Sequence, residues 1–202
     1  MKKNTKREIV AAARKLFNER GYNEVTMRDI AEQMNISVGN LTYHYHKKEA
    51  LIEAVVKEQH KAYRPSEPPQ DLMELNVVFK HTTEVQKNNA YYFRHYTQLA
   101  QISPEVYKIQ LRVIEDFSTM LNDAFERFVE KGLMKPEEYA GQYQYLKSNV
   151  IMVKVYWAQY RQLARQIDLA QQLLPAVWSL IWPYLTEEGK AIYEKEIVST
   201  FE

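Results

Sequence analysis

Apolar residues recur along this chain at intervals of three and four positions, the spacing that places side chains on one face of an α-helix. Residues 5–20 show this pattern first, with Ile9, Leu16 and Phe17 on one face, and Gly21 follows where a left-handed residue commonly ends a helix. The same spacing continues toward the C-terminus, and no pair of alternating segments is joined by a hairpin signal. The pattern predicts an all-α fold.

Three more short helices are predicted in the next part of the chain. Thr26 caps a helix that ends near Met34, and Asp29, three residues after the cap, completes a capping box. Ser37 caps the next helix, and a fourth extends to about residue 63. Two short helices separated by a turn of three or four residues are typical of a helix-turn-helix.

The third helix presents an outward face that suits a nucleic acid. Its apolar side chains join those of the second helix in a small contact that fixes the angle between them: Ile30, Ala31, Met34, Ile36 and Leu41. The side chains left to face outward are polar or small and include no Asp or Glu, as expected of a surface that approaches phosphates. These outward residues are Ser37, Val38, Gly39, Asn40, Thr42, Tyr43 and His44.

Residues 64–70, Arg-Pro-Ser-Glu-Pro-Pro-Gln, divide the chain, because three prolines in five residues interrupt helical structure. We predict a DNA-binding domain with its connecting helix at 1–64 and a larger helical domain at 65–202. In the larger domain the periodicity predicts five amphipathic helices and one weaker, polar helix at the end. They span about 71–87, 89–102, 105–131, 136–165, 168–185 and 187–197.

The charge distribution supports this division. The whole chain has a formal net charge of +1, but residues 1–64 hold 13 Lys and Arg against 8 Asp and Glu, a net charge of +5. The remaining residues, 65–202, have a net charge of −4. A basic N-terminal domain on an acidic remainder indicates a small domain that meets a polyanion.

Composition excludes several kinds of site. The chain has no cysteine, which excludes disulfides, thiol nucleophiles and cysteine-based metal centres. The histidines have no companions at ligand spacing, and no phosphate-binding glycine loop or nucleophile elbow is visible, so we expect no metal, no cofactor and no enzyme. The most apolar run, residues 173–185, is too short to span a membrane. Since no signal sequence follows Met1, we expect a cytoplasmic protein.

Three segments carry a family resemblance: Thr-Lys-Arg-Glu-Ile-Val-Ala-Ala-Ala-Arg-Lys-Leu-Phe from residue 5, Thr-Met-Arg-Asp-Ile-Ala-Glu from residue 26, and Asn-Ile-Ser-Val-Gly-Asn-Leu-Thr-Tyr-His-Tyr-His-Lys-Lys-Glu-Ala-Leu from residue 35. Residues 5–52, about a quarter of the chain, resemble the DNA-binding domain of TetR-family transcriptional regulators. The resemblance implies a homodimer with an N-terminal helix-turn-helix bundle and a larger C-terminal helical domain for effector binding and dimerisation.

The resemblance also implies a role for each position of the helix-turn-helix. Val38, Gly39 and Thr42 would face the bases. Val38 and Thr42 are shorter than is common in the family, so base recognition would rely more on thymine methyl contacts and DNA shape. Phosphates or a groove edge would be contacted by Asn40, Tyr43 and His44 of the third helix, by Lys48 of the fourth, and by Thr26 and Arg28 at the start of the second.

An apolar seam runs along the predicted helix 136–165 at alternating steps of four and three residues, and the predicted helix 168–185 carries a matching seam. Two such helices fit half of a four-helix bundle that a second subunit completes. An internal core without a partner is the alternative. We predict that the subunit interface consists of Val150, Val153, Trp157, Leu173, Val177, Leu180 and Tyr184.

The same long helix has a second face of aromatic, polar and methionine side chains, which suits the wall of a cavity. The predicted helix 89–102 is aromatic on all sides and is expected to be enclosed. We predict that the two helices line a pocket for a medium-sized aromatic or amphipathic effector. Its residues would be Tyr92, Tyr96, Asn149, Met152 and Tyr156, for each of which an ordinary tyrosine-rich core is the alternative.

These patterns together predict a transcriptional regulator, and a repressor in particular, that binds a near-palindromic operator through two recognition helices about one helical turn apart. Effector binding would change their spacing and release the DNA. Two alternatives stay open. A ligand-independent helix-turn-helix protein would have no cavity, and an all-helical enzyme with a DNA-binding N-terminus would need a catalytic constellation that residues 65–202 do not offer.

Overall fold

A computed structural model describes residues 2–164, 166–167 and 172–201, with side chains from residue 5 onward. Within these ranges the chain forms helices and no strand, so the predicted all-α fold is confirmed. The α-helices are α1 (Lys2–Arg20), α2 (Met27–Gln33), α3 (Val38–His44), α4 (Lys48–His60), α5 (Leu72–Asn88), α6 (Ala90–Arg94), α7 (Tyr96–Ile102), α8 (Pro104–Glu130), α9 (Gln142–Leu163), α10 (Leu173–Ile181) and α11 (Glu187–Ile192).

The chain divides into two compact units. One boundary between the units follows residue 64, and the segment 88–111 belongs to the first unit, unlike in the predicted division. It does so because the aromatic side chains of α6 pack on α1 and α4: the Tyr91 ring lies 5.9 Å from that of Phe17, and its hydroxyl donates to Gln59 Oε1 at 2.7 Å. Unit 1 thus comprises residues 1–64 and 88–111, and unit 2 comprises residues 65–87 and 112–202.

The short helices of unit 1 begin where the sequence predicts. The Thr26 hydroxyl accepts from the backbone N–H of Asp29 at 3.1 Å, and the Asp29 carboxylate accepts from the backbone N–H of Thr26 at 2.7 Å. Ser37 Oγ accepts from the backbone N–H of Asn40 at 3.1 Å. Between the two helices Asn35 adopts a left-handed conformation with φ 55°, which its short polar side chain tolerates. Local chemistry therefore specifies the turn between α2 and α3.

The predicted apolar contact between α2 and α3 is present. Ile30, Ala31 and Leu41 are buried, and Met34 and Ile36 are half-buried. Helix α4 supplies four further fully buried side chains to the core of unit 1: Leu51, Ile52, Val55 and Val56. The α2–α3 pair is therefore part of a packed hydrophobic core in unit 1.

The helix predicted at 89–102 is interrupted. At His95 the backbone leaves the helical region (φ −117°, ψ 24°), and the segment becomes α6 and α7. The ring of His95 is half-buried, 6.3 Å from that of Tyr22, and its Nδ1 lies 3.0 Å from Gln98 Oε1.

Two predicted helices of unit 2 are shorter than expected. Helix α9 begins at Gln142 and not near 136, because Gly141 just before it takes a left-handed conformation with φ 84°. Helix α10 covers Leu173–Ile181 and passes into a 3-10 turn that contains Pro183. Residues 168–171 of the predicted helix lie outside the described residues.

Unit 2 is built around Trp178, which is fully buried. Its indole N–H donates to Asn76 Oδ1 at 3.0 Å, and Asn76 in turn donates to Thr200 Oγ1 at 2.9 Å. Gly189 of α11 packs closely on the loop after α8, since a β-carbon there would lie 2.2 Å from the carbonyl oxygen of Leu133. The predicted C-terminal helix is thereby part of the core.

Candidate nucleic-acid interface

Helix α3 presents its polar side chains to solvent. The Tyr43 side chain is 71% exposed, Val38 is 42% exposed, and Gly39 and Asn40 are exposed as well. The rings of Tyr43 and His44 meet edge to face at 5.3 Å. Because its N-cap is fixed by Ser37 and its inner side by buried Leu41, the helix holds this surface in one orientation.

The hydroxyl of Thr42 forms a hydrogen bond within its own helix. It donates to the carbonyl oxygen of Gly39 at 3.1 Å, one turn earlier in the same helix. Thr42 is also half-buried. Its capacity for direct hydrogen bonding to a base is therefore small.

At the start of α2, the N-cap residue Thr26 lies two positions before the cationic Arg28. The Thr26 hydroxyl donates to Asp29 Oδ2 at 2.5 Å, and this bond and the backbone N–H of Thr26 hold the pKa of Asp29 below its usual value. The Arg28 side chain is exposed, and its Nε donates to Glu32 Oε1 at 2.9 Å. Arg28 therefore has to leave Glu32 before it can bind a phosphate with its full charge.

The ammonium group of Lys48 is not free to contact a DNA phosphate. Its ammonium donates to the carbonyl oxygens of Tyr22 and Val25, each at 2.8 Å, and lies 3.4 Å from that of Asn23. It also lies 4.3 Å above the centre of the Tyr22 ring. The predicted phosphate contact of Lys48 is therefore wrong for this structure, because the chain's own carbonyl groups take up its donors.

The predicted effector pocket is also wrong. Tyr92 and Tyr96 are buried in unit 1, where their rings are in contact at 5.3 Å. Asn149, Met152 and Tyr156 lie instead on the solvent-exposed side of α9 in unit 2. Side chains that face solvent do not line an enclosed cavity within unit 2, and the two tyrosine rings of unit 1 pack against each other.

The predicted subunit interface is wrong for most of its residues. Four of the seven side chains are buried in the core of unit 2, where they contact their own chain: Val150, Trp157, Leu173 and Val177. The other three are partly buried and pack against the same core: Val153, Leu180 and Tyr184. The predicted seam is therefore the inner face of α9.

The outer face of α9 carries a continuous stripe of exposed side chains. Met152 is 54% exposed, Tyr156 is 42% exposed and Leu163 is 89% exposed. Exposed large apolar side chains in a row mark a surface that meets another molecule. We call this stripe the outer face of α9; it consists of Tyr145, Asn149, Met152, Tyr156, Tyr160 and Leu163.

Sequence reasoning missed Lys154, which lies on the inner face of α9. It follows Val150 by four residues and precedes Trp157 by three, a spacing that places all three on one side of the helix. A lysine at that position of an apolar seam is the signal that could have identified it. Lys154 lines a pocket in unit 2 together with Phe79, Thr82, Val150, Leu173, Leu174 and Val177.

Other kinds of site find no support in the described part of the chain. There, no three His, Asp or Glu side chains come close enough together to hold a metal ion. Across the same residues, no helix combines the length and the apolar character needed to cross a membrane.

Comparison with known proteins identifies the family. Residues 9–55 match the family model described as bacterial regulatory proteins of the tetR family, and residues 54–193 match a second model, TetR, described as a bacterial transcriptional repressor. Both models describe regulators and not enzymes.

Individual proteins agree with these matches. The HTH-type transcriptional regulator HbdR of Aromatoleum sp. (strain CIB) is 26% identical, in an alignment that covers 93% of this chain and 84% of HbdR. The HTH-type transcriptional regulator UidR of Escherichia coli (strain K12) is 40% identical over 52 residues, so the chain matches only 26% of the length of UidR.

A solved structure has the same fold. The crystal structure of a TetR-family transcriptional regulator from Marinobacter aquaeolei VT8 superposes with a TM-score of 0.77 at 23% identity, covering 95% of this chain and 98% of that chain. That likeness shows the same fold, and the family models confirm the predicted family. Since the second family model alone spans more than half of the residues, this chain belongs to the TetR family of bacterial regulatory proteins.

Proposed function

We propose that this chain is a homodimeric transcriptional repressor that binds a double-stranded DNA operator through α2 and α3 and is released by a small-molecule effector. The observation that carries the proposal is the α2–α3 pair itself. Side-chain caps fix the start of both helices, and α3 contains no carboxylate. A rigid, exposed helix without negative charge can approach phosphates and enter a major groove without repulsion.

Within this surface we assign base contacts to Val38 and Gly39 and phosphate contacts to Asn40, Tyr43 and His44. Val38 has no hydrogen-bonding side-chain atom, so it would discriminate bases by contact with thymine methyl groups. Gly39 has no side chain and allows the backbone to come close to the groove edge. Additional phosphate contacts at the start of α2 would come from Thr26 and Arg28, and Ser37 contributes as the cap of α3.

The second subunit is expected on the outer face of α9. An isologous contact about a twofold axis would bring the same stripe of two chains together and bury Met152 and Tyr156, which a single chain leaves in water. A twofold arrangement would also place two copies of α3 against the two halves of a near-palindromic operator.

Selection of bound fragments from random double-stranded DNA by the full-length chain tests the proposal. We expect enrichment of an inverted repeat whose half-sites are centred about one helical turn apart. Tyr43→Ala should then weaken binding to all enriched sequences about equally, by about fivefold for one lost phosphate hydrogen bond.

The matched control for that variant is Tyr139→Ala, because Tyr139 is a similarly exposed tyrosine in unit 2. Its affinity for DNA should equal that of the wild type. Enrichment of no inverted repeat, or equal losses in the two variants, would contradict the assignment of α3 as the DNA-binding helix.

A further inference from the structure

Within the part of the chain that the structure describes, Lys154 is a cation without a counter-charge. Its Nζ lies 3.3 Å from the centre of the Phe117 ring of α8, a favourable contact for an ammonium group. Among the described residues no carboxylate oxygen lies within 4.0 Å of Nζ, and no acceptor receives a hydrogen bond from it. Lys154 is half-buried, and desolvation of its charged form lowers its pKa to about 7.

The pocket beside Lys154 is otherwise apolar. Only Thr82 adds a hydroxyl, and that hydroxyl donates to the carbonyl oxygen of Val78 at 3.1 Å. The pocket contains about 220 Å³ of space free of protein atoms, part of which opens to solvent, but its enclosed cavity volume is only about 10 Å³. That volume holds about one water molecule, so a larger molecule has to widen the pocket by moving side chains.

Trp157, one turn after Lys154 on the inner face of α9, is a second donor without an acceptor. It is buried, and in the described part of the chain its indole N–H has no hydrogen-bond partner. A buried donor of this kind is costly unless something accepts from it. Half-buried Lys154 and buried Trp157 lie three residues apart on one side of α9, a spacing that lets both donate to one acceptor group.

The charged groups on the neighbouring helices do not neutralise Lys154. Asp116 precedes Phe117 on α8, and its carboxylate lies 3.9 Å from Arg112 Nε. Lys147, two turns earlier on α9, donates to Asn122 Oδ1 at 2.6 Å. On α5, Glu84 is exposed to solvent.

We propose that Lys154 and Trp157 form the recognition end of a binding site in unit 2 for an organic carboxylate with an apolar body. The carboxylate would accept from both donors, and the aliphatic and aromatic walls of the pocket would contact the body. A neutral ligand would leave the ammonium without a counter-charge, and a cationic ligand would be repelled by it. The site deepens the proposed function by naming the chemical class of the effector, and release of DNA by this ligand rests on that proposed function.

Sodium octanoate and 1-octanol, which differ only in the head group, test the site in calorimetric titrations of the full-length chain without DNA. At pH 6.5 octanoate should bind at least about tenfold more tightly than octanol, a difference of about 1.4 kcal/mol. Between pH 6.5 and 8.5 the affinity for octanoate should fall by about tenfold or more, because Lys154 must take up a proton to pair with the carboxylate. The affinity for octanol should not follow this pH dependence.

Variants locate the site. Lys154→Met has a similar length without charge and should lose at least about tenfold in octanoate affinity. Lys147→Met, on the same helix, should bind octanoate as the wild type does. If Lys154→Met does not fold, the proposal is tested by the wild type alone, through its affinities for octanoate and octanol and their dependence on pH. Equal affinity for octanoate and octanol, no binding of octanoate, or full affinity in Lys154→Met would overturn the proposal.

DNA binding of the same samples, followed by fluorescence polarisation, separates this proposal from the proposed function. Octanoate binding with the expected head-group and pH dependence but without DNA binding would contradict the repressor and leave the site intact. DNA binding without octanoate binding would contradict the site alone.

Discussion

Lys48 in unit 1 and Lys154 in unit 2 are both lysines withdrawn from water, and their surroundings differ. Lys48 donates to two carbonyl oxygens at 2.8 Å and lies over the Tyr22 ring, whereas Lys154 has the Phe117 ring alone among the described residues. Burial lowers the pKa of both, but of the two ammonium groups only that of Lys48 donates hydrogen bonds to backbone carbonyl oxygens in place of lost water. Lys48, whose donors are occupied by carbonyl oxygens, therefore stabilises the fold. Lys154, whose ammonium contacts an aromatic ring, can still bind a ligand.

The exposed surfaces of the two units also differ in how well water can solvate them. The exposed side of α3 consists of polar and small side chains that water can solvate, while the outer face of α9 leaves Met152, Tyr156 and Leu163 in solvent. Unit 1 therefore presents a surface that is stable in water and ready for a polyanion. Unit 2 presents an apolar surface whose burial requires a second molecule.

The two faces of α9 give the largest expected effect. Val150→Glu on the inner face should destabilise the fold by about 4 kcal/mol, since it buries a carboxylate without a partner in the core of unit 2. Met152→Glu on the outer face should leave the free energy of unfolding of the single chain unchanged and convert a dimer to a monomer. Urea denaturation and sedimentation of both variants measure these effects. An unchanged free energy of unfolding in Val150→Glu, or a dimeric Met152→Glu, would reverse our assignment of the faces.

Removal of the Lys48 charge tests the structural side of the comparison. Lys48→Met should lower the free energy of unfolding by about 3 kcal/mol, because two buried carbonyl oxygens lose a charged donor. The adjacent Lys47 is exposed, so Lys47→Met serves as the control and should change stability by less than about 0.5 kcal/mol. Denaturant midpoints of the two variants measure the difference. Similar midpoints would mean that the carbonyl contacts of Lys48 contribute little.

Removal of the Lys154 charge should have the opposite sign. Lys154→Met should raise the free energy of unfolding by about 2 kcal/mol at pH 6, because an apolar side chain replaces a half-buried cation that has no counter-charge among the described residues. Between pH 7 and the usual lysine pKa of 10.5, the unfolded wild type binds more protons than the folded one, so wild-type stability rises with pH by about 1.4 kcal/mol per pH unit from this group. The advantage of the variant should therefore decrease from pH 7 to pH 8.5. A constant advantage over this range would show that Lys154 does not titrate there.

The sequence was sufficient for the helix-turn-helix because its determinants are local. Thr26 and Asp29, or Ser37 and Asn40, lie three residues apart, and their hydrogen bonds follow from the helical backbone alone. Lys48 shows where local reasoning ends. Its acceptors lie more than 20 residues earlier in the chain, and only the folded loop between α1 and α2 brings them to its ammonium.

In unit 2 the periodicity identified the long helix and both of its apolar faces but could not rank them. Val150 and Met152 stand in equally regular rows, and the choice of the inner row is made by the helices that pack on it. No spacing along α9 encodes which row that is. The interruption at His95 has a similar origin, since the Tyr91 ring before it packs on Phe17 of α1 and the His95 ring itself packs on Tyr22.

The smallest effect concerns the ion pair at the start of α2. Arg28 and Glu32 are both exposed, so their 2.9 Å pair contributes about 0.5 kcal/mol or less to stability. Glu32→Gln should free the Arg28 guanidinium and remove a negative charge next to α3, which should raise the affinity for operator DNA by about twofold to threefold at low salt and less at high salt. Glu187→Gln removes the ion pair between exposed Glu187 and half-buried Lys190 in unit 2 and should leave DNA affinity unchanged. Titrations of both variants at two salt concentrations measure the effect, and weaker binding by Glu32→Gln would mean that Glu32 orients Arg28 toward the DNA instead of holding it back.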